Sequence, residues 1–79
     1  MAKNFKILHG LYQLRIDSQL SQVDLAERLD ITQPSISKIE HAEDLRISTL
    51  RHYIQALGAD LKIDAEFPDG RRIPLVLGQ

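Results

Sequence analysis

The side chains best suited to chemistry in this chain are amides and hydroxyls, grouped between residues 21 and 38. The Gln33 amide can donate and accept at once, which matches the N6 and N7 atoms of adenine in a bidentate pair. Helix starts at Ser21 and Thr32 would present unpaired backbone amides and the positive end of a helix dipole to a phosphate. Pro34 can only pack, for example on a thymine methyl. The chemistry open to this segment is binding.

Catalysis is not predicted, because the sequence holds no nucleophile motif, no phosphate-binding glycine loop and no paired-carboxylate constellation. With 79 residues, the chain has room for one modest core and little pocket volume. We therefore predict no enzyme activity, no cofactor and no small-molecule substrate. Cysteine is absent, and His9, His41 and His52 are too scattered to form a ligand set, so no metal site is predicted.

Composition also bounds the compartment and the partner. No apolar run approaches the roughly 18 residues of a membrane span, and the start of the chain lacks a signal-peptide core. Together with the absence of cysteine, this favours a soluble cytoplasmic protein with no membrane partner. The net charge of −1 argues mildly against nucleic acid, so DNA binding would depend on local charge placement and on avidity in an oligomer.

Apolar residues at helical spacing predict a helical N-terminal part. The four predicted helices cover residues 4–17, 21–29, 33–41 and 47–57. Gly10 is a weak point within the first. Ser21 and Thr32 are N-cap candidates for the second and third, Pro34 suits a first turn, and Gly58 ends the fourth as its C′ residue.

The predicted core lies along the apolar stripes of these helices. Its members are Ile7, Leu11, Leu14, Leu25, Ala26, Leu29, Ile31, Ile36, Ile39, Leu50, Ile54 and Leu57. After Gly58 the apolar period changes to two, which predicts a strand, then a turn at residues 68–70, then a second strand that Pro74 restricts to an edge.

The apolar side chains of this tail need a partner surface, since an isolated two-stranded ribbon is marginal in water. We predict that they form a dimer or partner interface, made of Leu61, Ile63, Phe67, Ile73 and Leu75. Whether the tail pairs within the chain, across a dimer or with a partner stays open at this point.

The run SQVDLAERLDITQPSISKIE, residues 21–40, places the small Ala26 among apolar positions, so that two short helices can approach across a turn. On this run the sequence resembles the Cro/repressor, or Xre-type, helix-turn-helix family, and the resemblance extends from the first helix to Gly58. That family usually has glycine in the turn where this chain has Asp30. Aspartate tolerates the left-handed conformation better than most residues, so the departure should cost stability rather than the fold.

The resemblance implies a mainly α fold, in which a four- to five-helix lambda-repressor-like domain precedes a C-terminal β-strand or β-hairpin. It also implies a double-stranded DNA operator as partner, with the third helix in the major groove. Base contacts carry over to Thr32, Gln33, Pro34, Ser35, Ser37 and Lys38. Phosphate contacts carry over to Ser21, Gln22, Arg46, Ser48 and Arg51. We expect Gln33 to set the preference at one base pair and Gln22 to affect all operators alike.

A helical domain followed by a strand tail also resembles the HigA-type and HipB-type antitoxins, in which a DNA-binding dimer binds a toxin and represses its own operon. We accordingly expect a homodimeric repressor with a helix-turn-helix domain over residues 1–58 and an interface tail over residues 59–79. Two alternatives remain. One is a stand-alone Xre-type regulator whose tail serves only dimerisation, and the other is a protein-interaction module without DNA affinity.

Overall fold

A computed structural model describes residues 10–76 of the chain. Its elements follow in the order α1 Leu11–Asp17, α2 Gln22–Leu29, α3 Gln33–His41, α4 Ile47–Ala56, β1 Asp64–Glu66 and β2 Arg72–Pro74. This confirms the mainly helical fold with a C-terminal hairpin. Among these helices, none has the length and apolar character that crossing a membrane requires. Ile7 and His9 lie outside the described residues.

The start of α1 differs from the prediction. Gly10 is the N-cap of α1, with φ −72 and ψ 178, and the prediction that it lies inside a helix is wrong. The physical reason is that glycine costs about 1 kcal/mol relative to alanine in a helix interior but is well tolerated at the cap. Residues 4–9 of the predicted helix lie outside the described residues.

Side chains cap the starts of the next two helices. The Ser21 hydroxyl accepts from the Asp24 amide at 3.0 Å, and the Asp24 carboxylate accepts from the Ser21 amide at 2.9 Å, which makes a capping box. The bond from the Ser21 amide to the carboxylate, followed by the interaction of the carboxylate with the Ser21 side chain, holds the pKa of Asp24 below its ordinary value. Thr32 caps α3 by accepting from the Ser35 amide at 3.2 Å, and Pro34 lies in the first turn. Both predicted caps are confirmed.

Each of the helices α1, α2 and α4 is followed by one residue in the left-handed conformation. These residues are Gln19, Asp30 and Gly58, with φ of 62, 57 and 89. In each case the next amide reaches back to a carbonyl five residues earlier, as Ile31 does to Ala26 at 3.0 Å, which is the Schellman arrangement. Gly58 was predicted to end its helix in this way, and the conformation expected for Asp30 is confirmed.

The backbone at Asp30 leads to a stability prediction. Asp30→Gly should raise the free energy of unfolding by about 0.5–1 kcal/mol, because glycine adopts this conformation without steric cost. Asp30→Val should lower it by about 1 kcal/mol or more, since a β-branched residue is a genuine outlier there. The Asp30 side chain is exposed, so urea denaturation of both variants reads out the backbone alone. A less stable glycine variant would contradict the strain argument.

The core forms where α2 packs against α3 and α4. Its buried residues are Leu25, Ala26, Ile36, Tyr53 and Ile54, and the partly buried residues around them include Leu11, Leu14, Leu29, Ile39, Leu50 and Leu57. Most of the predicted core is confirmed. Ile31 is an error, because its side chain lies 39% exposed, and Tyr53 was not predicted.

The hairpin pairs β1 with β2 in antiparallel register, with Ala65 opposite Ile73 and Asp64 opposite Pro74. Gly70, at φ 94, completes the three-residue loop that follows Phe67, and the Gly70 amide donates to the Phe67 carbonyl at 2.9 Å. The predicted turn is confirmed. The Leu75 amide donates to the Ile63 carbonyl at 2.8 Å, so Leu75 and Ile63 are a hydrogen-bonded pair. Because such pairs alternate along an antiparallel ladder, the neighbouring pair of Pro74 and Asp64 is not hydrogen-bonded. The N–H that proline lacks would therefore point to the outer side of β2.

The apolar face of the hairpin is only partly covered within the chain. Leu61 packs against the core, and Ile63 is half-buried. Phe67, Ile73 and Leu75 remain 38%, 44% and 51% exposed. Alternation along each strand places these side chains together on one face. The helices therefore cover the β1 side of this face more completely than the β2 side.

Candidate nucleic-acid interface

Four of the six residues predicted to read bases, residues 32–35, lie together at the start of α3, whereas Lys38 lies in its last turn. Thr32, Gln33, Pro34 and Lys38 are exposed, and Ser35 and Ser37 are half-buried. The Thr32 and Ser35 hydroxyls lie 2.9 Å apart, and both take part in the cap of the helix. Gln33 is thus an exposed amide directly beside a helix N-terminus, where the backbone amides and the helix dipole favour an anionic partner.

The first residues of α2 and α3 are joined by their side chains. The Gln33 amide nitrogen donates to the Gln22 amide oxygen at 3.1 Å. The Gln22 nitrogen in turn donates to an oxygen of Glu40 at 3.0 Å. From the sequence, Gln22 and Gln33 are expected to make independent contacts, whereas the structure joins their side chains in one hydrogen-bonded chain that continues to Glu40.

Glu40 is the centre of a buried polar cluster with Arg15 and Tyr53. Arg15 Nε donates to Oε2 of Glu40 at 2.6 Å, and Nη2 donates to Oε1 at 3.2 Å. The Tyr53 hydroxyl donates to Oε2 at 2.5 Å. The Arg15 and Glu40 side chains are 6% and 1% exposed, so this ion pair is shielded from water.

Protonation in the cluster follows from these contacts. Burial favours the neutral form of Glu40, but hydrogen bonds from Arg15, Tyr53 and Gln22 outweigh it and hold the pKa of Glu40 below its ordinary value. The hydrogen bond to Glu40 raises the pKa of Arg15 against the opposing effect of burial. Burial has the largest effect on the pKa of Tyr53 and raises it. The hydrogen bond to Glu40 and the charge of Glu40 raise it further. At neutral pH the cluster therefore holds a carboxylate, a guanidinium and a neutral phenol.

Sequence reasoning missed this cluster, because helical periodicity assigns charged residues to the surface. Arg15 and Glu40 are 25 positions apart, and local spacing carries no information on such a contact. One signal was available. Arg15 follows Leu14 on the buried side of α1, and the same face contains Leu11, to whose carbonyl oxygen the Tyr53 hydroxyl lies at 3.1 Å.

The predicted phosphate contacts are spread over two helix starts. Ser21 and Gln22 lie at the start of α2, with the Ser21 hydroxyl engaged in the capping box. Arg46 is the N-cap of α4, and both Arg46 and Ser48 are exposed. Arg51 is half-buried and borders a groove of about 360 Å³ that Leu61 and Leu75 also line. Arg51 thus lies beside the hairpin.

The histidines show no shared site in the described part of the chain. His41 Nδ1 lies 2.8 Å from the Ser37 carbonyl, which accepts the N–H of that ring nitrogen. Between residues 10 and 76, no group of three or more histidine, aspartate or glutamate side chains is placed to hold a metal ion. His9 lies outside these residues.

Comparison with known proteins shows that the chain is similar to antitoxins. It is 39% identical over 70 residues to antitoxin HigA1 of Mycobacterium tuberculosis, a match that covers 87% of this chain and 47% of that protein. The chain thus spans about half the length of this relative.

Solved structures of antitoxins share the fold. One, described as DNA-bound antitoxin HigA3, superposes with a TM-score of 0.82 at 28% identity and covers 94% of this chain and 97% of its own. A second, described as showing induced DNA bending by unique dimerisation of HigA antitoxin, gives 0.79 at 28% identity and covers 94% and 100%. Residues 5–66 match the family model of a helix-turn-helix domain, and the chain belongs to that helix-turn-helix family, with HigA antitoxins among its relatives.

Proposed function

We propose that this protein is a sequence-specific DNA-binding repressor that acts as a homodimer and serves as the antitoxin of a toxin–antitoxin pair. The observation that carries the proposal is the exposed Gln33 amide at the start of α3, held by Gln22 in a fold that matches a DNA-bound antitoxin. In this proposal the protein acts by binding rather than by catalysis, and it works in the cytoplasm, where its operator DNA lies.

The distribution of charge supports binding through two copies. Arg15 is buried against Glu40, and Arg72 lies 3.8 Å from Asp64 and 3.6 Å from Glu66 on the hairpin. Lys38, in the last turn of α3, and Arg46, at the N-cap of α4, are exposed cations. A domain with few cations near the phosphates binds weakly alone, and a second linked copy raises its affinity through effective concentration.

The hairpin supplies the surface for assembly in this proposal. Residues 1–58 form the DNA-binding part, and residues 59–79 form the tail that contacts the second copy or the toxin. The exposed apolar side chains of Phe67, Ile73 and Leu75 support that division. Coexpression with the product of the neighbouring reading frame tests the antitoxin role. A stable copurifying complex is expected, whereas a stand-alone regulator would purify as a homodimer only.

Direct readout by Gln33 is tested with a library of single-base operator changes. Gln33→Ala should remove about 1–3 kcal/mol of discrimination at one base pair in each half-site and leave the other positions unchanged. Arg46→Ala is the matched control, because loss of a phosphate contact weakens all sequences alike and reduces the salt dependence. Uniform weakening by Gln33→Ala would contradict the assignment of α3 as the reading element.

A further inference from the structure

The chain of side chains that links Glu40, Gln22 and Gln33, here called the amide relay, has a fixed polarity. Glu40 is ionised and can only accept hydrogen bonds, and its side chain is 1% exposed. The Gln22 amide must therefore turn its NH₂ group toward Glu40 and its oxygen away from it. That orientation follows from chemistry, because the opposite one would place two oxygen acceptors together.

The polarity passes from Gln22 to Gln33. Since the Gln22 oxygen faces Gln33, it accepts from the Gln33 NH₂ group at 3.1 Å. Gln33 thus uses one of its two N–H donors in the hydrogen bond to Gln22. It keeps one N–H donor and one carbonyl acceptor for a partner on its exposed side. A reversed Gln33 amide would turn its carbonyl toward Gln22 and its NH₂ group, with two N–H donors, outward.

These two orientations suit different bases. Adenine offers an acceptor at N7 and a donor at N6 in the major groove, whereas guanine offers two acceptors, N7 and O6. We infer that Glu40 fixes the amide orientation of Gln33 through Gln22 and so selects adenine over guanine at the base pair that Gln33 reads. This inference rests on the proposed function. It makes Glu40 a positioning residue for recognition, although the carboxylate itself is buried.

A single atom change at position 40 should reverse the relay. In Glu40→Gln, the new side-chain oxygen is held in place of Oε2 by Arg15 Nε at 2.6 Å and the Tyr53 hydroxyl at 2.5 Å, which are the shorter contacts of the carboxylate. The new NH₂ group takes the place of Oε1, so the longer bond of 3.2 Å from Arg15 Nη2 is lost. The new NH₂ group then faces Gln22, turns the Gln22 oxygen inward and turns the Gln22 NH₂ group toward Gln33. The Gln33 carbonyl then turns toward Gln22 as the acceptor, and the Gln33 NH₂ group turns toward the groove.

The experiment measures the affinity ratio for operators that carry adenine or guanine at the Gln33 position. Glu40→Gln should lower the adenine-to-guanine ratio by about tenfold or more, which is the size expected for one bidentate base contact. Tyr53→Phe is the matched control. It removes another hydrogen bond to the same carboxylate but leaves the polarity of the relay intact, so affinity can fall while the ratio stays.

A rescue variant separates polarity from general damage. Adding Gln22→Glu to Glu40→Gln places an acceptor-only group at position 22, which receives the new NH₂ group at position 40 and again faces the Gln33 NH₂ group. The double variant should bind more weakly overall, because of a new negative charge near phosphate, and should recover the preference for adenine. A purely structural role for Glu40 predicts no such recovery.

The outcomes distinguish this inference from the function on which it rests. An unmodified protein without sequence preference would overturn the proposed function. A normal protein whose Glu40→Gln variant keeps its adenine-to-guanine ratio would overturn the relay alone, as would a double variant that fails to recover. If Glu40→Gln does not fold, Gln22→Met interrupts the relay outside the core and should lower the same ratio, because the Gln33 amide then turns freely. An unchanged ratio in that variant also overturns the relay.

Discussion

Glu40→Ala is expected to lower the free energy of unfolding by about 3–5 kcal/mol, the range measured when one partner of a buried ion pair is removed. The change leaves the Arg15 guanidinium buried, with its side chain 6% exposed and no carboxylate to balance it. It also removes the strongest partner of the Tyr53 hydroxyl. Since a small domain has only about 5–15 kcal/mol in total, the variant should be close to unfolding at 37 °C. Urea denaturation measures the difference.

Glu66→Ala provides the matched control for this prediction. Glu66 lies 3.6 Å from Arg72, but the two side chains are 62% and 65% exposed, and an exposed pair contributes less than about 1 kcal/mol. Equal losses in the two variants would show that burial does not strengthen the Arg15–Glu40 pair.

The same ion pair has a pH dependence of known sign. Because the folded pKa of Glu40 lies below its ordinary value of 4.5, its contribution is complete above that value and is lost as the pH falls through the folded pKa. The stability difference between the unmodified protein and Glu40→Gln should therefore shrink as the pH drops below 4.5. A difference that stays constant through this range would contradict the assignment of an ionised Glu40.

Leu75→Asp is expected to convert the proposed homodimer to monomer and to lower operator affinity by about 100-fold or more, since avidity contributes a factor on the order of 10²–10⁴. Leu75 lies 51% exposed on the apolar hairpin face, beside Ile73 and Phe67. A carboxylate placed there would be desolvated in the interface without a partner. Sedimentation velocity measures the assembly state, and fluorescence anisotropy with labelled operator measures the affinity.

Val76→Asp is the control for the hairpin face. Val76 is the next residue along the chain, is 97% exposed, and alternates onto the opposite face of the strand. The proposed interface predicts an intact dimer in this variant. A dimer that survives Leu75→Asp but not Val76→Asp would move the interface to the other face of the hairpin.

Local chemistry explains which parts of the fold could be predicted from sequence. The starts of α2 and α3 depend on Ser21, Thr32 and Pro34, and each acts on amides within a few residues of itself. The left-handed turn at Asp30 was predictable for the same reason. Gln19 adopts a similar backbone conformation without any residue preference that would indicate it.

The parts that escaped prediction depend on contacts that are distant in sequence. The bases that Gln33 could read were predicted from its own amide, whereas the orientation of that amide depends on Glu40, seven positions along the same helix, and through it on Arg15 and Tyr53. Ile31 was placed in the core by its apolar character, but it lies at the turn between α2 and α3 and stays 39% exposed.

The position of Pro74 makes the growth of the sheet directional. Its ring faces the outer side of β2, where another strand would need an N–H donor, and the pairing of Asp64 with Pro74 fixes that side. A strand from another molecule that pairs with the outer edge of β2 would therefore lack one N–H donor, at Pro74. In contrast, β1 contains no proline and has an N–H at every position. Stacking of hairpins into an open-ended ribbon requires both edges. Pro74 thus limits the addition of further strands to the β1 edge. This opposes the stacking of the exposed apolar hairpins into fibres.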